Sequence, residues 1–136
     1  MISVKDKVVI VTGAASGLGE ADARMLAAES AIVIMTDINA DTGQRIAEEI
    51  GATFFQQDVS SESGWSDLIN LVRSQFGRLD ALVNNAGIAV IANIETTTAD
   101  QWRRTMATHL DGTFWGCQSA IPLMKESGGG SIINMS

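Results

Sequence analysis

Five short apolar runs punctuate the chain, each pair separated by enough residues for one helix, and this alternation limits the fold more than any other feature. The runs are Val8-Val9-Ile10-Val11, Ala31-Ile32-Val33-Ile34-Met35, Ala52-Thr53-Phe54-Phe55, Ala81-Leu82-Val83 and Ser131-Ile132-Ile133. They are nearly continuous rather than alternating with polar residues, so they read as strands buried on both faces of a parallel sheet. Between the third and fourth runs, Trp65, Leu68, Ile69, Val72 and Phe76 recur at three- and four-residue spacing, which gathers them on one helical face. Gly51 and Gly77 stand where two helices should end, because glycine takes the left-handed C-cap conformation without a steric cost. Thr98-Ala99-Asp100-Gln101 has the form of a capping box. A long helical stretch follows, carrying Trp102, Met106, Leu110, Phe114, Cys117 and Ile121, with Pro122 expected to bend its last turn. Gly128-Gly129-Gly130 then releases the chain into the final strand. With right-handed crossovers this order predicts an α/β fold, an open doubly wound parallel sheet with helices on both faces.

Charge and composition exclude several classes of partner. Sixteen acidic residues against nine basic ones give a formal charge of -7 without a run of Lys or Arg, so nucleic acid is not an expected partner. Met1 to Lys7 lacks the apolar run of a signal peptide, and no stretch is long enough to span a bilayer, so the chain reads as cytoplasmic with no membrane partner. Cys117 is the only cysteine, which rules out an intrachain disulfide and a cysteine-built metal site; it reads as a small buried hydrophobe on a helix, and no metal is expected.

Directly after the first apolar run comes Thr12-Gly13-Ala14-Ala15-Ser16-Gly17-Leu18-Gly19, followed by helical sequence. Glycines at this spacing let the backbone turn tightly and approach a pyrophosphate, whose charge sits against the amides and the positive dipole end of the next helix. An acidic chain without a basic patch could bind an anionic dinucleotide in this way. Taken alone, the motif is equally a glycine-rich turn without a ligand. Asp37 adds context, closing the second run in Thr36-Asp37-Ile38, eighteen residues after Gly19. A carboxylate there can accept hydrogen bonds from both hydroxyls of an adenine ribose. It would also repel a 2′-phosphate: two unit charges about 4 Å apart at an effective dielectric near 20 interact by roughly 4 kcal/mol before solvent screening. Lys and Arg are absent from Ala14-Ala15-Ser16 and from Ile38-Asn39, so NAD is expected in preference to NADP. The alternative for Asp37 is a solvated carboxylate at a strand end or a helix cap.

A complete dinucleotide fold joins two such halves at a switch point, and these residues supply the first half and the start of the second. Residues 1–136 are therefore read as one NAD-binding domain of Rossmann type, incomplete, truncated after about the fifth strand and without its catalytic C-terminal portion. The chain resembles the short-chain dehydrogenase/reductases. Four patterns carry the resemblance, in the family's order: Thr12-Gly13-x-x-x-Gly17-x-Gly19, Asp58-Val59 after the third strand, Asn84-Asn85-Ala86-Gly87 after the fourth, and Gly-Ser-Ile-Ile-Asn-Met-Ser closing at Ser136. The resemblance implies that Asp58 and Val59 border the adenine, while Asn85, Ala86 and Gly87 line the cofactor and brace the sheet. A polar strand end and a simple turn are the alternatives for these two segments.

The resemblance also implies hydride transfer between nicotinamide and a secondary alcohol or ketone, with a tyrosine as general acid/base, a lysine that lowers its pKa and a serine that orients the substrate. This chain contains no tyrosine, and the 136-residue chain alone is expected to be inactive. The family's serine falls three residues after the position of Asn134, so Ser136 is read as a strand-end serine. In Thr108-His109-Leu110-Asp111-Gly112, His109 occupies the position where the family usually has an asparagine that helps hold a water in a proton relay. An imidazole can substitute as a polar group there, titrate, or merely be bonded within a helix bend.

The leading reading is the cofactor half of an NAD-dependent alcohol dehydrogenase or ketone reductase. The alternative is a non-catalytic NAD-binding module, separated from the first by whether a YxxxK sequence lies downstream. A methyltransferase on a similar sheet would not carry Asn84-Asn85-Ala86-Gly87. The stretches Gly116-Cys117-Gln118 and Ser131-Ile132-Ile133-Asn134-Met135 are similar to those of some hydroxysteroid and secondary-alcohol dehydrogenases. The long helix with Trp102, Phe114 and Trp115 is expected to show an apolar face to solvent, and the resemblance implies a homo-oligomer, dimer or tetramer, packed through it.

Overall fold

In the computed structural model, which describes residues 3–136, every one of the five apolar runs forms a strand. Met1 and Ile2, part of the N-terminal segment that lacks a signal-peptide pattern, lie outside the described residues. The strands are β1 (Val8–Thr12), β2 (Ile32–Asp37), β3 (Thr53–Gln56), β4 (Ala81–Asn84) and β5 (Ser131–Asn134), all parallel, in the spatial order β3-β2-β1-β4-β5. The helices are α1 (Gly17–Ala28), α2 (Ala40–Ile50), α3 (Glu62–Phe76), α4 (Ala99–Met106) and α5 (Gly112–Glu126).

Strand side chains alternate between two cores because successive residues point to opposite faces. Val8, Ile10, Ile34 and Leu82 pack against Trp65, Leu68 and Val72 of α3 and Leu123 of α5. Val9, Val11, Val33, Met35 and Val83 pack on the other face against Ala23 of α1 and Ile46 and Ala47 of α2. The expected doubly wound, Rossmann-type α/β sheet is therefore present. Its strand order reverses between β1 and β4, and a crevice opens there at the carboxyl ends of the strands.

The punctuation holds at most positions. Gly51 and Gly77 cap α2 and α3 in the left-handed region, with φ of 72° and 70°. The capping box at the start of α4 is reciprocal: Gln101 N–H donates to the Thr98 hydroxyl at 3.1 Å, and Thr98 N–H donates to the Gln101 side chain at 2.9 Å. Pro122 falls within α5, which continues through it to Glu126.

The long helix differs from expectation in the middle. Between α4 and α5 the backbone widens into a π-turn, Ala107–Asp111, in which Gly112 N–H reaches back to the Ala107 carbonyl. The extra residue shifts the helical phase of α5 relative to α4. Trp102 and Phe114 face solvent, as expected, at 59% and 54% exposure. Trp115, expected beside them, is instead packed against the core, edge-on to Phe114. Cys117 is half-buried rather than buried, its Sγ 3.8 Å from the Asn84 side-chain nitrogen. Among the described residues no helix is long and apolar enough to cross a membrane.

Candidate functional site

The crevice is built around Thr12, the last residue of β1. Its buried hydroxyl accepts the backbone N–H groups of Asn85 and Ala86 at 3.0 and 2.9 Å and donates to the Val83 carbonyl at 3.3 Å. The Asn85 side chain returns the contact, donating to the Thr12 carbonyl at 3.1 Å and the Gly13 carbonyl at 3.4 Å. One residue further out, Asn84 donates to Asn134 at 2.9 Å and ties β4 to β5 in register. The ends of β1, β4 and β5 are thereby fixed as one unit.

Glycine is required at two places in the turn after β1. Gly13 has φ of 63°, and a Cβ there would stand 2.8 Å from the Ala86 Cα. Gly19 is buried, and a Cβ there would run into the Gly13 carbonyl and lie 2.5 Å from the Asn85 side-chain nitrogen. Gly19 thus lets α1 begin directly against the turn. Gly17 faces open space. Ser16, the N-cap of α1, makes no side-chain capping bond, which leaves the first amides of the helix without the usual protein acceptor.

These amides open onto a cleft of about 530 Å³. Gly13, Ser16, Gly17 and Leu18 form its floor; Asp37 and Ile38 stand at the end of β2; Asp58 and Val59 follow β3; Asn85, Ala86 and Gly87 follow β4. Eleven of the twelve residues proposed from sequence to touch a cofactor are brought together here, and Gly19 supports them from behind. The Asp37 carboxylate accepts Ala15 N–H at 3.0 Å and Asn39 N–H at 2.9 Å, so it is held against the glycine turn rather than left mobile at a strand end. Asp58 accepts the Ser60 N–H and hydroxyl at 2.9 and 2.7 Å. The Val59 carbonyl accepts the indole N–H of buried Trp65 at 2.8 Å, which anchors this wall to α3.

Sequence reasoning missed Gln57, Ser60, Ile88, Arg104, Ala107 and Thr108, which also line the cleft. Gln57, Ser60 and Ile88 flank predicted residues, and the 104, 107, 108 spacing is one helical face, a signal that could have found them. Arg104 is the only cation among the described residues lining a cleft that also holds Asp37 and Asp58. Gln57 is 4% exposed, and neither atom of its side-chain amide has a partner; the Thr36 hydroxyl is likewise unpaired.

His109 lies behind the cleft, not in it. It occupies the centre of the π-turn, with its ring under Gly87 and Nε2 2.8 Å from the Ile88 carbonyl oxygen. Ser136 is exposed, two residues beyond the end of β5.

A dinucleotide fits the groups these residues offer. The uncapped start of α1 and the open face of Gly17 suit a pyrophosphate, and a fixed carboxylate at the end of β2 suits a ribose diol.

A family model described as short chain dehydrogenase matches residues 7–136. The chain is similar to the NADP-dependent (R)-specific alcohol dehydrogenase of Lentilactobacillus kefiri, 44% identical over 138 residues that cover 98% of this chain and 55% of the relative. It is 40% identical over 144 residues to the trans-4-hydroxycyclohexanecarboxylate dehydrogenase of Sinomonas cyclohexanicum, covering 98% of this chain and 55% of that one. It is 42% identical over 134 residues to the 3-beta-hydroxysteroid dehydrogenase of Comamonas testosteroni, covering 97% and 52%. The chain spans about half the length of these relatives.

Proposed function

The chain belongs to the short-chain dehydrogenase family, and from that premise we propose that it is the cofactor-binding part of an oxidoreductase that moves hydride between a nicotinamide and a secondary alcohol or ketone. The observation that carries the reading is the convergence of the glycine turn, the uncapped start of α1 and Asp37 on one cleft at the switch point. When bound, nicotinamide adenine dinucleotide supplies the hydride acceptor or donor. The amides of Gly17 and Leu18 hold its pyrophosphate, Asp37 accepts hydrogen bonds from the adenine ribose, and Asp58 and Val59 border the adenine. Asn85, Ala86 and Gly87 line the nicotinamide half, over β4.

The preference for NAD over NADP rests on Asp37 of this chain, because the Lentilactobacillus relative is named NADP-dependent. Discounted by half for solvent, the repulsion between Asp37 and a 2′-phosphate is about 2 kcal/mol, or roughly thirtyfold in affinity. On this reading the described residues carry the dinucleotide. The tyrosine and lysine of the family's chemistry are not matched among these residues, and the exposed Trp102, Leu110 and Phe114 support self-association.

The test is a fluorescence titration of the chain with NADH and with NADPH. Tighter binding of NADH is expected. Equal or tighter binding of NADPH would remove the NAD preference, and binding of neither would remove the nucleotide reading.

A further inference from the structure

Gln57 follows β3 by one residue and lines the cleft, 4% exposed, yet neither its amide oxygen nor its amide nitrogen has a partner among the described residues. A buried polar group gives up its bonds to water, and native structures nearly always return them from the protein. A carboxamide left with both atoms unpaired is a cost to the fold. It marks a place where something other than the fold supplies the bonds.

Its position decides which part of a dinucleotide meets it. Gln57 N–H donates to the Asp37 carbonyl at 3.0 Å, so the residue sits directly beside the strand end whose carboxylate suits the adenine ribose. Asp58 and Val59 follow it in the chain, and Ala86, Ala107 and Thr108 share the cleft with it. Charge narrows the choice further. A neutral amide has no charge with which to grip a phosphate, and the start of α1 already suits the pyrophosphate. What an amide offers is one donor beside one acceptor, the pattern that pairs with adenine through the 6-amino hydrogen and an adjoining ring nitrogen. The Asp58 carboxylate cannot make that pair, because it accepts only, and its Oδ1 already takes the Ser60 N–H and hydroxyl.

We propose that Gln57 reads the adenine base: its unpaired carboxamide accepts a hydrogen from the 6-amino group and donates to a neighbouring ring nitrogen. This rests on the nucleotide reading of the cleft and adds to it a residue that none of the four sequence patterns marks. The free protein carries the unpaired amide, and the base satisfies it.

The experiment compares the wild-type chain with Gln57→Met, which keeps the length of the side chain and removes both polar atoms. The ligands are NADH and the NADH analogue that carries purine in place of adenine and so lacks only the 6-amino group. The methionine variant is expected to bind NADH roughly tenfold or more weakly, for two lost hydrogen bonds. Its preference for NADH over the analogue should be roughly three- to tenfold smaller than that of wild type, for one. Without ligand it should withstand urea at least as well as wild type, because no bond within the protein is lost. A variant that binds NADH like wild type, an unchanged preference, or a urea midpoint clearly below wild type would overturn the proposal. The last would show that the amide is held within the fold, through a buried water to the unpaired Thr36 hydroxyl for instance. The wild-type chain gives a reading that needs no variant: the side-chain amide resonances of Gln57 should move on addition of NADH. Resonances that stay fixed while the Gly17 and Asp37 amides move would overturn the role of Gln57 and leave the dinucleotide site standing. A chain in which none of these moves would remove the nucleotide reading, and the proposal with it.

Discussion

Replacing Thr12 with valine should destabilise the chain by about 2 kcal/mol, although the two side chains have nearly the same shape. The figure comes from the bonds around one hydroxyl. Ala86 N–H donates to Thr12 Oγ1 at 2.9 Å and loses that partner outright, a penalty of about 1–3 kcal/mol for a part-buried group. Asn85 N–H also donates to Thr12, at 3.0 Å, but it keeps the Val83 carbonyl at 3.1 Å, so its loss is smaller, about 0.5–1 kcal/mol. The added methyl recovers about 0.8 kcal/mol of apolar burial. Thr12→Ser keeps the hydroxyl and loses only the methyl, about 1 kcal/mol. Urea unfolding of the three chains measures the order directly: wild type most stable, then the serine variant, then the valine variant. Because the same bonds position Asn85 and Ala86, the valine variant should also bind NADH more weakly. A valine variant at least as stable as the serine one would show that the hydroxyl does not hold the crevice together.

Three further outcomes are expected from the same structure. Asp37→Asn removes the charge and keeps an acceptor oxygen for only one of the Ala15 and Asn39 amides, and the preference for NADH over NADPH should fall by roughly tenfold or more; an unchanged ratio would mean that the carboxylate does not select. Gly19→Ala drives a Cβ into the Gly13 carbonyl, a backbone atom that cannot step aside, and should cost about 3 kcal/mol in thermal or urea unfolding along with NADH binding; a variant within experimental error of wild type would refute the close approach of α1. The Asp80 carboxyl is held below the ordinary carboxylate range, first by its hydrogen bonds from Arg78 and then by Val8 N–H, with burial working the other way. A depressed folded-state pKa contributes stability that is complete above the unfolded value of about 3.9 and is lost as pH falls through the folded value. Asp80→Asn should therefore be less stable than wild type at neutral pH and lose less stability on acidification below about pH 4, and parallel pH–stability curves for the two would contradict the assignment.

The central strands were legible because a strand buried on both faces stays apolar at every position, as in Val8 to Val11, whereas β3 and β5 stand at the sheet edges and are only partly buried. The functional positions next to them were legible for a related reason. Asp37, Asp58 and Asn85 are polar residues placed where apolar runs stop, and in a parallel sheet all those stops lie along one edge. The π-turn was not legible in the same way. Trp102, Met106, Leu110 and Phe114 recur every four residues, and a sustained spacing of four drifts by about 40° per step on an α-helix, so the pattern itself carried a hint of a wider turn. On a straight α-helix Phe114 would stand about 120° round from Trp102, and one extra residue brings it to about 20°, onto the same exposed face. The contact between His109 and Ile88 depends on how the turn, the glycine at 87 and the β4 loop meet in space, and no local pattern encodes that. Gln57 was missed for the opposite reason. A glutamine beside an aspartate at a strand end looks like ordinary surface, and only the packed structure reveals it to be buried without a partner.

The central claim, that the switch-point cleft is a dinucleotide site, is tested most directly by amide NMR of the isotope-labelled chain during addition of NADH. Shifts are expected at Gly13, Ser16, Gly17 and Leu18, at Asp37 and Ile38, at Asp58 and Val59, and at Ala86, Gly87 and Ile88, with α2 and the groove between α1 and β5 undisturbed. No shifts at millimolar NADH, or shifts centred on that groove around Lys7, Met25 and Ile133, would contradict it.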